Sequence, residues 1–381
     1  MLGYNDELPY DQKIDEHKRL TYDILDGMVD WVRVMNESGE IIFINKSMKK
    51  ALGEDLLGVK CYEVFKKSAR CIRCIADATI NTEESVEKEE KIGDKVFSIK
   101  SSPVKDLNGY IYAVVEVFRN VTRERKLERN IIKQNEKMTR DIDFAKKIQS
   151  SILPEKGRCG PLEVDYLYIP SEILSGDMFD VQKIDEEHIG IYISDVVGHG
   201  VSASIMTMFI RQTMESIMRY VASPSHVISR LHKSFLDLGL DDENYFTIFY
   251  AIINIKNHTM EYSNGGHNSM PCIISRDKNS NKKVSFLEAS GYPITYLFEK
   301  VDYEEHVIDI NVGDEILFFT DGILECKDVN GELFGENRLK YCIECSQGHT
   351  IEDIEKAIDE FKDEYLDIED DITVLKIDVK G

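Results

Sequence analysis

The sequence lacks an apolar run of the roughly 20 residues that a bilayer span requires, and it therefore predicts no membrane span. It also lacks a surplus of basic residues, since 47 lysines and arginines stand against 70 acids and give a net charge of −23. Without a basic stripe, a phosphate backbone or an anionic membrane would be repelled, so we expect neither nucleic acid nor membrane as a partner. The polar, acidic start has no secretory leader, and we expect a cytoplasmic protein.

What is present is typical of a globular chain. Apolar residues make up 42% and charged residues 31% of the 381 positions, which excludes a wholly disordered protein and predicts two or three domains. In a reducing cytoplasm the eight cysteines should be free thiols or ligands and not disulfides.

Composition and the positions of residues that break helices and strands divide the chain into four segments. These are a helical lead-in over 1–20, a segment of helices and strands over 21–122, a helix over 123–153 and a long segment of helices and strands over 154–381. In the second segment, strand-like runs flank turns at 37–39 and 107–109, Asn45 follows the second strand, and Asn-Val-Thr ends the last. This order resembles a PAS sensor domain, whose ligand the sequence leaves open.

The segment 123–153 contains no glycine and ends at Leu153–Pro154, because proline disfavours helix in the residue before it. Its apolar residues recur mostly three and four apart until the seam fails at Gln134–Asn135. We expect a dimeric coiled coil in the first half and docking on the C-terminal segment in the second; a single amphipathic helix is the alternative. The helix has no histidine, which argues against a sensor histidine kinase.

Four short acidic motifs dominate the last segment: SGDMFD (175–180), DVVGHG (195–200), TDG (320–322) and EDDIT (369–373). Three of them lie at the end or the start of a strand-like run. A fold that gathers these strand ends would crowd several carboxylates together, and hard divalent cations with oxygen ligands relieve such repulsion. The motifs therefore predict a two-metal hydrolytic site.

Preceded by AKKIQSSILP (145–154) and interleaved with YFTIFYAIIN and YSNGGHN, these motifs resemble the SpoIIE/RsbU branch of the PPM (PP2C-like) metal-dependent protein phosphatases. The resemblance implies an α-β-β-α sandwich over 154–381. The whole chain is then α+β: a PAS-like sensor, a helical coiled-coil linker and a PPM-type domain. It also implies hydrolysis of a phosphoserine or phosphothreonine protein.

The same resemblance implies the ligand set. Asp195 would bridge two ions with the carbonyl of Val196 as a further ligand, Asp321 and Asp370 would hold one ion, and Asp177 would reach the other. Oxygen ligands of this kind suit Mn²⁺ or Mg²⁺, and a pair of ions about 3.5–4 Å apart would activate water for in-line attack.

Other residues of the motifs have open roles. Asp371 matches the position on the phosphate side of the family's site. His199 is either a general acid or, as we favour, a structural hydrogen bonder at a helix start. Asp180 is either a weak ligand or, as we favour, a cap, and His267 is expected to brace its loop.

The resemblance further implies a phosphorylated STAS-type anti-anti-sigma protein as substrate and partner. Because a continuous helix leaves the sensor and ends against the C-terminal segment, we also expect the sensor to act through a homodimeric helix. The alternative is a catalytically weak signalling scaffold on the same fold, against which the complete set of acids argues.

Cys61, Cys71 and Cys74 form a C-x9-C-x2-C group inside the PAS-like segment. They are either a metal, iron–sulfur or redox-sensing site or three ordinary thiols, since no fourth ligand is evident.

Overall fold

The computed structural model describes residues 10–53, 56–220, 223–240, 243–276, 282–362 and 368–380. The chain divides into two compact units, residues 1–137 and 138–381. Of the lead-in predicted over 1–20, residues 1–9 lie outside the described part, and a helix α1 begins at Tyr10. Within the described ranges, no helix is both long and apolar enough to cross a bilayer.

The first unit is an antiparallel sheet of five strands in the order β2-β1-β5-β4-β3, accompanied by short helices. The alternation of buried and exposed side chains along β3 and β4 is that of strands with one covered face. The strands are β1 Trp31–Asn36, β2 Ile41–Ile44, β3 Val86–Ile92, β4 Lys95–Lys105 and β5 Ile111–Asn120; the helices are α1 Tyr10–Gly27, α2 Lys46–Leu52, a 3₁₀ turn Glu63–Phe65 and α3 Ile75–Thr82.

The core of this unit lies between the sheet and the α2–α3 segment. It contains Met35, Ile44 and Met48 in one cluster and Phe97 and Phe118 in another. Asn45 fixes the start of α2, because its side chain accepts from the backbone N–H of Met48 and also from that of Val32 on β1.

One long helix, α4, runs from Thr122 to Ser151. Leu127, Ile131 and Met138 of the predicted seam are each more than half exposed. Coiled-coil pairing of this seam stays a prediction.

The second unit contains two six-stranded antiparallel sheets. The first has the order β15-β11-β10-β9-β8 with β14 paired to β10, and the second has the order β13-β12-β16-β17-β7-β6. The strands are β6 Gly157–Cys159, β7 Leu162–Ile169, β8 Asp177–Lys183, β9 His188–Val196, β10 Tyr245–Asn254, β11 Thr259–Gly265, β12 Cys272–Arg276, β13 Lys282–Phe286, β14 Ile294–Thr295, β15 His306–Asp309, β16 Glu315–Phe319 and β17 Ile372–Val379.

Helices cover the outer face of each sheet. The helices are α5 Gly200–Met218, α6 Pro224–Leu236, α7 Gly322–Glu325, α8 Gly335–Cys345 and α9 Thr350–Phe361. One apolar cluster fills the space between the sheets, a second joins the first sheet to α5 and α6, and a third joins the second sheet to α8 and α9. The order of layers is α-β-β-α, as predicted, because each sheet is apolar on both faces and must be covered on both.

Candidate active site

Four strand ends meet at one edge of the two sheets. In the first sheet, Asp177 at the start of β8 is the cross-strand partner of Asp195 near the end of β9. In the second, Phe319 at the end of β16 lies opposite Val374 near the start of β17. Since Asp321 follows β16 and Asp370 precedes β17, antiparallel pairing brings these carboxylates to the same edge.

The segments around Asp321 and Asp370 approach each other closely. A side-chain carbon at Gly322 would lie 2.2 Å from the carbonyl oxygen of Asp371, so only glycine allows this contact. At the end of β9, Gly198 and Gly200 have φ of +86° and +78°, a backbone conformation that favours glycine and that forms the sharp turn into α5.

Two hydroxyl groups of the second sheet hold the buried carboxylate of the first. Thr320 and Thr373 both donate to Oδ2 of Asp177, with oxygen–oxygen distances of 2.8 and 2.6 Å. No described residue donates a hydrogen bond to the other carboxylate oxygen of Asp177, Oδ1, and this oxygen is therefore available to another partner. The contact also ties the two sheets together at this edge.

Asp371 holds the chain segment that leads into β8. Its Oδ1 accepts from the backbone N–H and the hydroxyl of Ser171 at 2.6 and 2.9 Å, and its Oδ2 accepts from the N–H of Gly176 at 2.6 Å. Both oxygens are thus occupied by the segment 171–176. That Asp371 faces the phosphate stays a prediction.

Burial and mutual repulsion perturb these acids. Burial, followed by the charges of Asp321 and Asp370, raises the pKa of Asp195 to about 8. Burial and the charge of Asp195 raise the pKa of Asp177 well above its usual value. Burial also raises the pKa of Asp370, with Asp321 adding to the effect. Among the described residues, no lysine, arginine or histidine forms an ion pair with any of the four.

Two features of this arrangement suit a divalent cation: the oxygen ligands that the acids offer, and the backbone carbonyl oxygens that stay accessible beside Gly176. A side-chain carbon at Gly176 would lie 3.0 Å from the carbonyl oxygen of Val196 and 2.9 Å from that of Gly198, so glycine keeps these oxygens uncovered. As the side chains stand, no three acid, imidazole or thiol groups in the described part of the chain form a closed metal cage. Acids without counter-ions beside uncovered carbonyl oxygens are the donor set of Mg²⁺ and Mn²⁺.

His199 lies at the N-terminus of α5, where it is the N-cap residue by position but its ring does not cap the helix. Instead Nδ1 lies 2.8 Å from Oε1 of Glu172, and both side chains are at least half exposed. The imidazole therefore faces solvent beside the segment 171–176. Whether it donates a proton in catalysis stays a prediction.

Asp180 lies inside a strand and caps no described helix, so the favoured prediction of a cap was wrong, while a role as a weak ligand stays a prediction. It lies inside β8 opposite Tyr192, accepts from Gln182 and is 3.6 Å from the guanidinium of Arg211 on α5. Because Asp180 is three residues from Asp177 along a strand, the two side chains point to opposite faces of the sheet.

His267 braces the loop after β11, as predicted. Its Nε2–H donates to the carbonyl oxygen of Phe319 at 2.9 Å, and its Nδ1 accepts from the hydroxyl of Thr247 at 3.2 Å. Burial lowers the pKa of this imidazole. Thr247 on β10 is the cross-strand partner of Asp195, and Phe319 ends the strand that leads to Asp321, so His267 connects β10 with β16 beside these two acids.

Sequence reasoning missed the supporting residues. Thr320 and Thr373 stand inside the recognised TDG and EDDIT motifs, and their position beside the acids could have indicated them. Glu325, which adds to the negative charge around Asp195, comes four residues after Asp321. The burial of Gln149 on α4 could not be predicted, because a glutamine within a polar helix is normally expected to be exposed to solvent.

The family model described as "Stage II sporulation protein E (SpoIIE)" matches residues 185–380, just over half of the chain, and the model "PAS fold" matches residues 25–126. The chain belongs to the SpoIIE family. The N-terminal PAS prediction is likewise confirmed.

Two curated relatives of this SpoIIE-family chain come from Bacillus subtilis (strain 168). "Phosphoserine phosphatase RsbP" is 30% identical over 189 residues, which cover 49% of this chain and 45% of that protein. "Phosphoserine phosphatase RsbU" is 29% identical over 194 residues, covering 51% and 56% respectively. The chain spans about half the length of the curated relatives it matches.

A solved structure, "SiaA-PP2C domain of Pseudomonas aeruginosa", superposes with a TM-score of 0.54 at 20% identity, over 64% of this chain and 97% of that one. At this identity the likeness shows the fold, which is PP2C-like. The predicted fold class is therefore confirmed for both units.

Proposed function

We propose that this SpoIIE-family protein is a metal-dependent protein serine/threonine phosphatase. The observation that carries the proposal is the convergence of four acids from four strand ends, none of which forms an ion pair with a described lysine, arginine or histidine. Burial and neighbouring charges raise the pKa values of Asp177, Asp195 and Asp370. Buried structural acids are normally neutralised by a neighbouring cation, whereas acids that lack such a cation and have perturbed pKa values are typical of functional sites.

Asp195, Asp321, Asp370 and Asp177, with the carbonyl of Val196, would hold two divalent ions, Mn²⁺ or Mg²⁺. When bound, such ions supply positive charge to the phosphoryl oxygens and acidify the attacking water. Thr320 and Thr373 keep Asp177 in one orientation, and Asp371 fixes the segment 171–176 beside it. His199, whose exposed imidazole lies beside the segment 171–176, would be the candidate to protonate the departing serine or threonine oxygen.

For the substrate we propose a phosphorylated STAS-type anti-anti-sigma protein. The two relatives are named phosphoserine phosphatases, which supports a phosphoprotein substrate. The net charge of −23 would repel a phosphorylated protein, and cations at the site would offset this locally.

We propose that the chain is divided into a lead-in (1–20), a sensor (21–122), a linker helix (123–153) and a phosphatase domain (154–381). For regulation we propose that the PAS unit acts through α4, which would pair with α4 of a second copy in a homodimer. Support comes from contacts inside the second unit. The buried side chain of Gln149 on α4 donates to the carbonyl of Ser175 at 2.7 Å and accepts from its N–H at 3.1 Å. Arg211 on α5 donates to the carbonyl of Ile152. A shift of α4 would therefore move Ser175, which is two residues from Asp177.

The test of activity is Mn²⁺-dependent release of phosphate from a phosphorylated STAS-domain protein. Asp195→Ala and Asp321→Asn should reduce turnover to the level measured without metal. Asp302→Asn, which changes a fully exposed acid, is the matched control and should retain wild-type turnover. Wild-type protein that binds the STAS protein but shows no metal-dependent turnover would favour the scaffold alternative.

The test of regulation is removal of residues 1–122. The truncated protein should change its turnover or its Mn²⁺ dependence more than its affinity for the phosphorylated substrate. Identical kinetic constants for the truncated and the full-length protein would contradict the regulatory role.

A further inference from the structure

A small cleft in the first unit is lined by three thiols. Cys61, Cys71 and Cys74 all contribute to its wall, between the sheet and the segment that leads into α3. Its free volume is about 30 Å³, which is room for a water-sized molecule such as hydrogen peroxide. The chemistry available to a molecule in this cleft is therefore that of thiols and of the charged groups beside them.

The backbone brings two of the thiols together. Cys71 and Cys74 flank a two-residue turn at Ile72–Arg73, and Cys74 is the residue from which α3 begins. The first and fourth residues of such a turn have Cα atoms within about 7 Å, which overlaps the range that a disulfide spans.

The surroundings of the three thiols differ. Burial raises the pKa of the Cys61 and Cys74 thiols, which favours their protonated forms. The Sγ of Cys71, in contrast, lies 3.5 Å from the Nζ of Lys67, which is also paired with Glu90. Cys71 is therefore the thiol of this cleft whose sulfur accepts a hydrogen bond from a lysine ammonium group.

The other charges of the cleft are already paired. Arg33 and Glu116 form a buried ion pair at 2.6 Å, and the guanidinium also stacks 4.9 Å from the ring centre of Phe118. As they stand, the thiols do not join other described acids, histidines or thiols in a metal-holding group. The geometry therefore favours a dithiol over a metal cage.

We propose that Cys71 and Cys74 form a peroxide-sensitive dithiol, with Cys71 as the attacking and Cys74 as the resolving cysteine. The Cys71 thiolate attacks one oxygen of a hydroperoxide; the O–O bond breaks, Cys71 becomes a sulfenic acid and the departing hydroxide takes a proton. The Cys74 sulfur then attacks the sulfenic sulfur; the S–S bond forms, the S–O bond breaks, and the departing hydroxide takes the thiol proton of Cys74 and leaves as water. Two thiols and one hydrogen peroxide yield one disulfide and two waters, a two-electron oxidation.

The test uses the full-length protein treated with hydrogen peroxide and mapped by mass spectrometry. We expect a peptide joining Cys71 to Cys74 that is about 2 Da lighter than its reduced form and returns to it with a dithiol reductant. Cys345, which is exposed, serves as an internal control for non-specific oxidation and should react more slowly. Equal oxidation of Cys345 and Cys71 would overturn the proposal.

Three variants separate the roles. Cys74→Ser should accumulate sulfenic acid at Cys71 that dimedone traps, whereas Cys61→Ser should form the disulfide as the wild type does. Lys67→Gln should slow oxidation of Cys71 severalfold, and Lys67→Arg should restore it. A disulfide from Cys71 to Cys61 in the wild type, or stoichiometric zinc that protects all three thiols from peroxide, would overturn the assignment. The readout is independent of phosphatase activity, so its failure leaves the proposed function untouched.

Discussion

The hydroxyl of Thr373 offers the sharpest test of how the candidate active site is built. It is fully buried and donates to Oδ2 of Asp177 at 2.6 Å, so Thr373→Val removes one hydrogen bond with little change of shape. Hydrogen bonds to charged groups contribute about 1.5–3 kcal/mol. If that stabilisation is realised when Asp177 is ionised and bound to a cation, its loss weakens cation binding about 10- to 100-fold.

The assay is a Mn²⁺ titration of phosphate release. We expect the midpoint for Thr373→Val to rise by that factor while turnover at saturating Mn²⁺ stays within a few-fold of the wild type. Thr259→Val, at the opposite end of the first sheet, is the control and should leave the midpoint unchanged. An unchanged midpoint for Thr373→Val would refute the reasoning, as would a loss of turnover that no concentration of Mn²⁺ restores.

Two further predictions concern the helix and the charge of the site. Gln149→Leu removes the side-chain hydrogen bonds to Ser175, so it should lower the free energy of unfolding by about 2–4 kcal/mol and raise the Mn²⁺ midpoint. The control Gln134→Leu, on the exposed part of α4, should change neither quantity. Equal denaturation midpoints for the two variants would contradict this prediction. Because the folded chain keeps a proton on Asp195 that the unfolded chain releases, the melting temperature in EDTA should fall as pH rises from about 5 to about 8, and Mn²⁺ should reverse the fall at pH 8. A melting temperature in EDTA that rises over this range would contradict the assigned charge repulsion.

The positions of the acids could be predicted because they depend on strand ends, and strand ends are visible in the sequence. A strongly apolar run followed by Asp195 or Asp321, or preceded by Asp370, places the carboxylate at an edge whatever the topology of the sheets. The layer order followed from the same runs, since strands apolar on both faces require cover on both sides.

The supporting contacts could not be predicted, because they join residues far apart in sequence. Asp371 reaches Ser171, 200 positions away, and the hydroxyl of Thr373 reaches Asp177, 196 positions away. A pattern in the sequence indicates which face a residue occupies and says little about which distant group it meets. The error on Asp180 has the same origin, because its partner Arg211 lies on a helix that only the fold brings near.

The origin of the acids in two different sheets has a mechanical consequence. Asp177 and Asp195 belong to the first sheet, while Asp321 and Asp370 belong to the second. Without a cation, the contacts from Thr320 and Thr373 to Asp177 hold the sheets together at this edge against the repulsion of the acids. A cation bound by acids of both sheets would remove the repulsion and add a cross-link. If the site binds a cation as proposed, a contact that shifts Asp177 by less than an ångström would change the cation affinity without any change in the ligands. Gln149, which forms two hydrogen bonds with Ser175, is the residue through which α4 would transmit such a shift under the proposed regulation.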